Sequence, residues 1–314
     1  MQVFDRFKND KKSEIPDYPT KKEFNELKKL VNTHQDYLNN IFVFHKLEKT
    51  PYLELMRDIS YELLKFFDNI CNKYDLEYWL DFGTLLGAVR HEDFIPWDDD
   101  LDVGMLREDY YKFLEVFPKE FERSGLKHVE AWFKDPSWAP GTRRWFQINC
   151  KRQEFNGKFV GIDVFPYDYI TEYDDDYIEL FHNTRPKFFK AWQGDVSLKD
   201  ALDETCGELN LSLEKTDYFI AGVDGGRFRT GSVFKILKTE DLMPLKRIKF
   251  GEYEFLAPNN PKNYLSEIYG KHHMKIGKTK KEHGRLNRYK KQPNIMDKLY
   301  ESKKELIKAN ENFK

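Results

Sequence analysis

From Pro51 onward the apolar residues fall into a helical rhythm. Leu53, Met56, Ile59, Leu63, Phe66, Phe67 and Ile70 recur at steps of three and four, which lines them along one side of an amphipathic helix. "LEYWLDF" then reads as a strand, "TLLGAVRH" as a short helix opening at Gly83-Thr84, and "DLDVGML" as a second strand. "REDYYKFLEVFPKEFERSG" returns to helical spacing and stops at Gly125, a residue suited to the left-handed close of a helix. Three strand-like runs follow, "HVEAWF", "RRWFQINCKRQEF" and "KFVGIDVFP", and Asn156-Gly157 between the last two is a strong hairpin signal. After Pro166 the pattern predicts charged helices to about residue 245. A hairpin in "IKFGEYEFLAP" and a loop entering a short helix in "NNPKNYLSEIYG" come next. Strands interleaved with helices predict an α/β (α+β) fold, a mixed sheet flanked by helices.

The two ends differ from this middle. Residues 1–50 are polar and Lys-rich, with weak helical periodicity from about residue 21, and read as an N-terminal appendage to a main domain over 51–270. Residues 271–314 hold 14 Lys/Arg against 5 Asp/Glu, a balance of +9 that leaves −11 on residues 1–270 from the total of −2. This basic tail reads as a charged, solvated terminal helix, with contact to a phosphate-rich surface as the alternative. The near-neutral whole excludes a general polyanion binder, so no nucleic-acid partner is expected. Cys71, Cys150 and Cys206 are odd in number and far apart, which fits a reducing compartment. No run approaches 18 apolar residues and the N-terminus lacks a signal-peptide core, so the expectation is a cytoplasmic protein without a transmembrane span. Peripheral contact at the inner face of the membrane stays open.

Five aspartates fall between Asp93 and Asp102, and like charges repel. In "DLDV" strand alternation turns Asp100 and Asp102 to one face, with Leu101 and Val103 toward the core and Asp99 turned away. Two such carboxylates stand about 6.5–7 Å apart at Cα, a pairing that oxygen-preferring divalent cations use. In "VGIDVFP" an isolated Asp163 interrupts an apolar strand and needs a partner. "LDFGTLLGAVR" runs strand, Gly83-Thr84, helix, a geometry that points free N–H groups at an anion. Arg90, about two turns on, adds a positive charge for the same phosphates. Together these parts outline metal-dependent phosphoryl transfer. A calcium loop is excluded, since Val103 falls where that loop needs glycine. A solvated acidic turn is the bland alternative.

The same residues resemble a known family. "DFGTLLGAVRHEDFIPWDDDLDV", "GIDVFPYD" and "FLAPNNPKNYLSEIYGKHHM" are similar to three blocks of the LicD family, the phosphocholine-transferase relatives that include fukutin-related proteins. The likeness runs over roughly residues 52 to 275. It implies a nucleotidyltransferase-like fold in which Gly83-Thr84 forms the turn, and Asp100, Asp102 and Asp163 hold Mg²⁺ (or Mn²⁺). It further implies transfer of a phosphorylated alcohol from a CDP-alcohol donor, CDP-choline first among them, to a sugar or polyol phosphate of a surface glycan, lipid-linked or not. In this reading Asp163 also serves as base and Asp98 adds an outer contact. His91-Glu92-Asp93 and Lys271-His272-His273 depart from the family's pattern and leave the acceptor open.

Weaker candidates remain. Trp132, Trp138 and Trp145 are an aromatic cage for a quaternary ammonium or ordinary packing. Arg143 and Arg144 reach donor phosphates or only flank a strand, and His272-His273 is a metal pair or solvated. The rival functions are a glycosyltransferase using Asp-x-Asp, a nucleotidyltransferase releasing pyrophosphate, and a non-catalytic binder of a glycan precursor.

Overall fold

Thr50 and Pro51 open the long helix that the apolar spacing predicts. The computed structural model describes residues 19–44, 50–133, 146–152, 158–184, 198–222, 235–276 and 289–313. Arg143, Arg144, Trp138, Trp145 and the Asn156-Gly157 turn lie outside them, and so does the side chain of Trp132. In α2 (Pro51–Lys73) the Thr50 hydroxyl accepts from the Leu53 N–H at 3.3 Å, and Pro51 starts the first turn, where its missing donor costs nothing. Leu55, Met56, Ile59, Leu63, Phe66, Phe67 and Ile70 are all buried. Before it, α1 (Lys21–Phe44) exposes Phe24, Leu27 and Leu30, and Gln35 ties it to the Ile276 carbonyl at 2.5 Å.

Eight of the ten described strands form a mixed sheet. β1 (Trp79–Leu80), β2 (Leu101–Leu106), β5 (Lys158–Ile170), β4 (Phe146–Lys151) and β3 (Val129–Phe133) lie side by side in that order. β2 and β5 run parallel and the other neighbours antiparallel. α3 (Phe82–His91) joins β1 to β2, and α4 (Arg107–Ser124) leaves the end of β2, closing at Gly125 with φ 64°. Leu101, Val103, Ile148, Ile162 and Val164 share the main core with α2. By alternation Asp102, Gln147 and Asp163 face the other way.

Pro166 does not end its strand. β5 continues to Ile170, with Pro166 paired to Met105, and three short strands follow where charged helices are expected. They are β6 (Leu211–Ser212), β7 (Tyr218–Ala221) and β8 (Ile236–Lys238), and β6 and β7 pair with the far half of β5. Strands of two to four residues have no period of their own; pairing to a long neighbour makes them. Residues 177–184 and α5 (Leu198–Glu208) are helical as expected. β9 (Lys246–Phe250) and β10 (Tyr253–Ala257) form the expected hairpin, with the one-turn α6 (Thr239–Leu242) before it and α7 (Pro261–Tyr269) after it.

Within the basic C-terminal segment Ile295–Glu311 form a helix, α8, but not a solvated one. Ile295, Leu299, Ser302, Leu306 and Ala309 recur at steps of four and three and are buried, a stripe that the surrounding lysines obscure in the sequence. Asn310 donates to the Glu62 carbonyl and carboxylate at 3.0 and 2.8 Å, and Lys303 pairs with Asp58 at 2.7 Å. This seats the helix on α2.

Arg107 at the start of α4 grips Asp168 of β5 through two bonds, Nε to Oδ1 at 2.6 Å and Nη2 to Oδ2 at 2.7 Å. Both residues are buried. Removing one partner strands a buried charge, so Arg107→Ala is expected to cost about 3–5 kcal/mol. Chemical denaturation of that variant checks it, and a loss under about 1 kcal/mol would mean the pair is solvated after all.

Candidate active site

Three sequence blocks meet at one carboxylate. Asp81, fully buried between β1 and α3, caps the helix by accepting from the Phe82 N–H at 2.8 Å. It also accepts from the hydroxyls of Tyr167 and Tyr264, the latter at 3.0 Å, and Tyr264 in turn accepts from Trp79 Nε1 at 2.9 Å. Tyr167 belongs to "GIDVFPYD" and Tyr264 to "NNPKNYL". Burial and the Asp81 charge push both hydroxyl pKa values well up, so they remain donors. Trp79 crowds Gly104, its strand partner, where a Cβ would come within 2.4 Å of the indole.

This junction fixes α3 against β2. The Asp81 N–H donates to the Asp102 carbonyl at 2.9 Å, and the Asp102 N–H donates to the Thr84 hydroxyl at 2.8 Å. Thr84 is therefore buried and spends its oxygen on the strand. The helix opens at Phe82 rather than Gly83, with Phe82 at φ 39°, a conformation uncommon for a bulky residue. Phe165 of β5 meets its ring edge-on at 5.2 Å.

Asp102 and Asp163 are direct partners across the parallel β2–β5 pair, and Gln147 of β4 stands opposite Asp163. Partners in register share a face, so the three form one polar row. Gln147 Nε2 donates to Asp163 Oδ1, and Lys158 Nζ lies 3.8 Å from that same oxygen. Asp163 is 7% and Asp102 8% exposed.

Asp100 sits one residue before β2, so strand alternation does not govern the run leading into it. Asp98, Asp99 and Asp100 instead gather at a bend, each offering an oxygen with all three within 4.8 Å of one another. The expectation that Asp99 turns away fails here: it is 8% exposed and part of the group. Among the described residues, this is the carboxylate trio close enough to share a cation, and it does not include Asp102 or Asp163. Burial and the neighbouring Asp100 push the Asp98 pKa up to about 7, the mark of a negative cluster short of counter-charge.

Gly83 makes room for this cluster. A Cβ there would fall 2.6 Å from Asp98 Oδ2, so the glycine seats a carboxylate beside the helix N-terminus. Gly83→Val is expected to expel the Asp98 carboxylate and lower kcat/KM by about tenfold to a hundredfold. Steady-state kinetics with a matched thermal melt checks this, and unchanged kinetics would remove Gly83 from the site.

Arg90 is buried and committed elsewhere. Its Nη1 donates to the carbonyls of His273 and Lys275 at 3.0 and 3.4 Å and its Nε to His91 at 2.9 Å, pinning the segment after α7. His273 Nδ1 lies 3.1 Å from the Gly270 carbonyl, while His272 is exposed, so that pair does not converge on the aspartates. Glu92 ends α3 at φ 52° and pairs with Lys249 at 2.9 Å, and Asp93 accepts from the Tyr61 hydroxyl. The departures at 92 and 93 thus tie α3 to its neighbours.

Arg57 escaped the reading of the sequence. It is 3% exposed, donates to the Ile95 carbonyl at 3.0 Å, and stacks 4.0 Å over Phe94. Burial lowers its pKa to about 10, against the pull of Asp93, Asp98 and Asp99. It therefore supplies a fixed positive charge behind the cluster. Its place on the buried face of α2, four residues from Leu53 and from Tyr61, is the signal that was there to find.

Residues 75–196 match the family model for the LicD/FKTN/FKRP nucleotidyltransferase domain. The chain carries a LicD-family domain. The lipopolysaccharide cholinephosphotransferase LicD of Haemophilus influenzae is 45% identical over 62 residues, 20% of this chain and 23% of that protein. An uncharacterized Rickettsia prowazekii protein, RP689, is 45% identical over 209 residues, 67% of this chain and 53% of that one. Human ribitol 5-phosphate transferase FKRP is 59% identical over 34 residues, 11% of this chain and 7% of that protein. The chain thus spans about half or less of the length of these relatives. The LicD match ends at 196, so β6 to β8, α7 and α8 lie beyond it. Among the described residues no helix is long and apolar enough to cross a membrane.

Proposed function

We propose that this chain transfers a phosphorylated alcohol from a CDP-activated donor to a hydroxyl of a sugar or polyol, releasing CMP. The observation that carries the reading is the pairing of Asp102 with Asp163 across β2 and β5, beside the Asp98–Asp100 cluster and the N-terminus of α3. Relatives named for moving phosphocholine and ribitol phosphate support it. Phosphocholine is the first candidate among the groups moved. The acceptor is a surface-glycan or teichoic-acid-like precursor met at the inner face of the membrane.

An all-carboxylate donor set with one buried cation behind it fits a hard divalent ion, Mg²⁺ or Mn²⁺. Asp98, Asp99 and Asp100 lie close enough to share it, and Asp102 and Asp163 would complete the donor set from the sheet face. Such an ion supplies neutralisation of charge on the transferring phosphate. The chain's own residues do the rest. The first N–H groups of α3, at Gly83 and Thr84, lack helical partners and face the donor phosphates. Asp163, held by Gln147, accepts the proton of the attacking hydroxyl. Arg57, buried behind the bend, adds a fixed positive charge that offsets part of the crowding among these carboxylates.

The test is incubation with Mg²⁺ and CDP-choline, CDP-ribitol or CDP-glycerol, following nucleotide products. CMP release dependent on a polyol or sugar acceptor is expected. Release of a nucleoside diphosphate from a sugar nucleotide, or of pyrophosphate from CTP, would replace the reading with a glycosyl- or nucleotidyltransferase. No turnover with intact binding would leave a binding protein.

A further inference from the structure

Asn149 in β4 is 1% exposed, and neither its Oδ1 nor its Nδ2 has a hydrogen-bond partner. A buried carboxamide left unpaired costs about 1–3 kcal/mol for each group, and buried polar side chains are otherwise nearly always satisfied. Asn149 is two residues from Gln147 and so lies on the face that carries Asp163 and Asp102. Its partner on β5 is Gly161, two residues before Asp163, and a Cβ there would lie 2.4 Å from Asn149 Oδ1. The amide therefore leans over bare backbone toward β2. Leu101 pairs with Ile162, so Asp100 enters β2 at the level of Gly161. The unpaired amide stands about one strand row, roughly 7 Å, from the Asp102–Asp163 row.

We propose that Asn149 is a specificity residue of the site, and that its carboxamide binds a hydroxyl-bearing carbon chain beside the reacting phosphate, Nδ2 donating and Oδ1 accepting. A hydroxyl both gives and takes a hydrogen bond, which matches the two unpaired functions of one amide. Two ligands bring hydroxyls there: the ribose of the nucleotide and the polyol or sugar acceptor. Gly161 is the element that lets the amide reach across. The inference rests on the phosphotransferase reading.

The experiment compares wild type with Asn149→Leu, Asn149→Ala and Gly161→Ala, in melts without ligand and by calorimetric titration. The probes are CMP, 2′-deoxy-CMP and ribitol 5-phosphate, each with Mg²⁺. Leu is close to Asn in shape and has no polar atoms, so Asn149→Leu is expected to melt at or above wild type while binding a hydroxyl probe at least about tenfold more weakly. Gly161→Ala, which pushes the amide aside, is expected to lose the same binding. CMP weakened to the level of 2′-deoxy-CMP assigns the ribose; ribitol 5-phosphate weakened alone assigns the polyol, whether moved or accepting. A lower melt for Asn149→Leu, as for an amide bridged by structural water, overturns the proposal. So does unchanged affinity for both hydroxyl probes. Wild type that binds neither probe overturns the phosphotransferase reading itself, and the inference with it.

Discussion

Asp102→Asn and Asp163→Asn should each lower turnover of the CDP-alcohol by about a hundredfold or more. Stabilising transition-state charge through a bound cation is worth several kcal/mol, and each ~1.4 kcal/mol is about tenfold in rate. The two residues are strand partners on one face, so each loss should be large alone and the double variant little worse. Stability should not follow activity. In EDTA, Asp102→Asn should melt at or above wild type, because a neutral amide relieves repulsion among crowded carboxylates. Asp163→Asn should move little, since an amide oxygen can still accept from Gln147. Asp99→Asn is the informative companion. Strand alternation alone would make it mild, whereas its place within 4.8 Å of Asp98 and Asp100 predicts a loss comparable to Asp100→Asn. Full activity in Asp99→Asn would restrict the site to the strand pair. Full activity in all four variants would leave only a solvated acidic turn.

A stability effect comparable to that at Arg107 is expected at Asp81. Asp81→Ala takes the partner from the Phe82 N–H and from the Tyr167 and Tyr264 hydroxyls at once. At about 1 kcal/mol for each lost bond, the cost is about 3 kcal/mol or more, a melting temperature lower by roughly 6–12 °C. Because α3, β5 and α7 are joined there, activity should fall as well, even below the melt. A double variant with Tyr167→Phe should cost less than the sum of the two singles, since the shared bond is lost only once. A melt unchanged in Asp81→Ala would mean that the three blocks are held together elsewhere.

Much of this was legible along the chain. The apolar steps of α2, the Gly125 close of α4, the hairpin of β9 and β10 and the loop entering α7 depend on neighbours within a few residues. Local chemistry is what a sequence displays. The alternation in "VGIDVFP" likewise put Asp163 on the face away from Ile162 and Val164, because a period of two is geometric. The stretch after Pro166 was not legible, since β6, β7 and β8 are too short to carry a pattern and exist through β5. Nor was the buried stripe of α8, hidden among lysines.

The sequence by itself determined the α/β class, the helices with caps and stripes, and which residues could bear a charge in the site. Only the tertiary structure decided which charges meet. Asp102 reaches Asp163 through the register of two strands some sixty residues apart in the chain. Arg57 is delivered to the acidic bend by helix packing, and Arg90 is withdrawn to carbonyls beyond α7. Asp99 joins its neighbours because the chain bends before β2 begins. Register, burial and long-range hydrogen bonds depend on residues distant in the chain, and no local period encodes them.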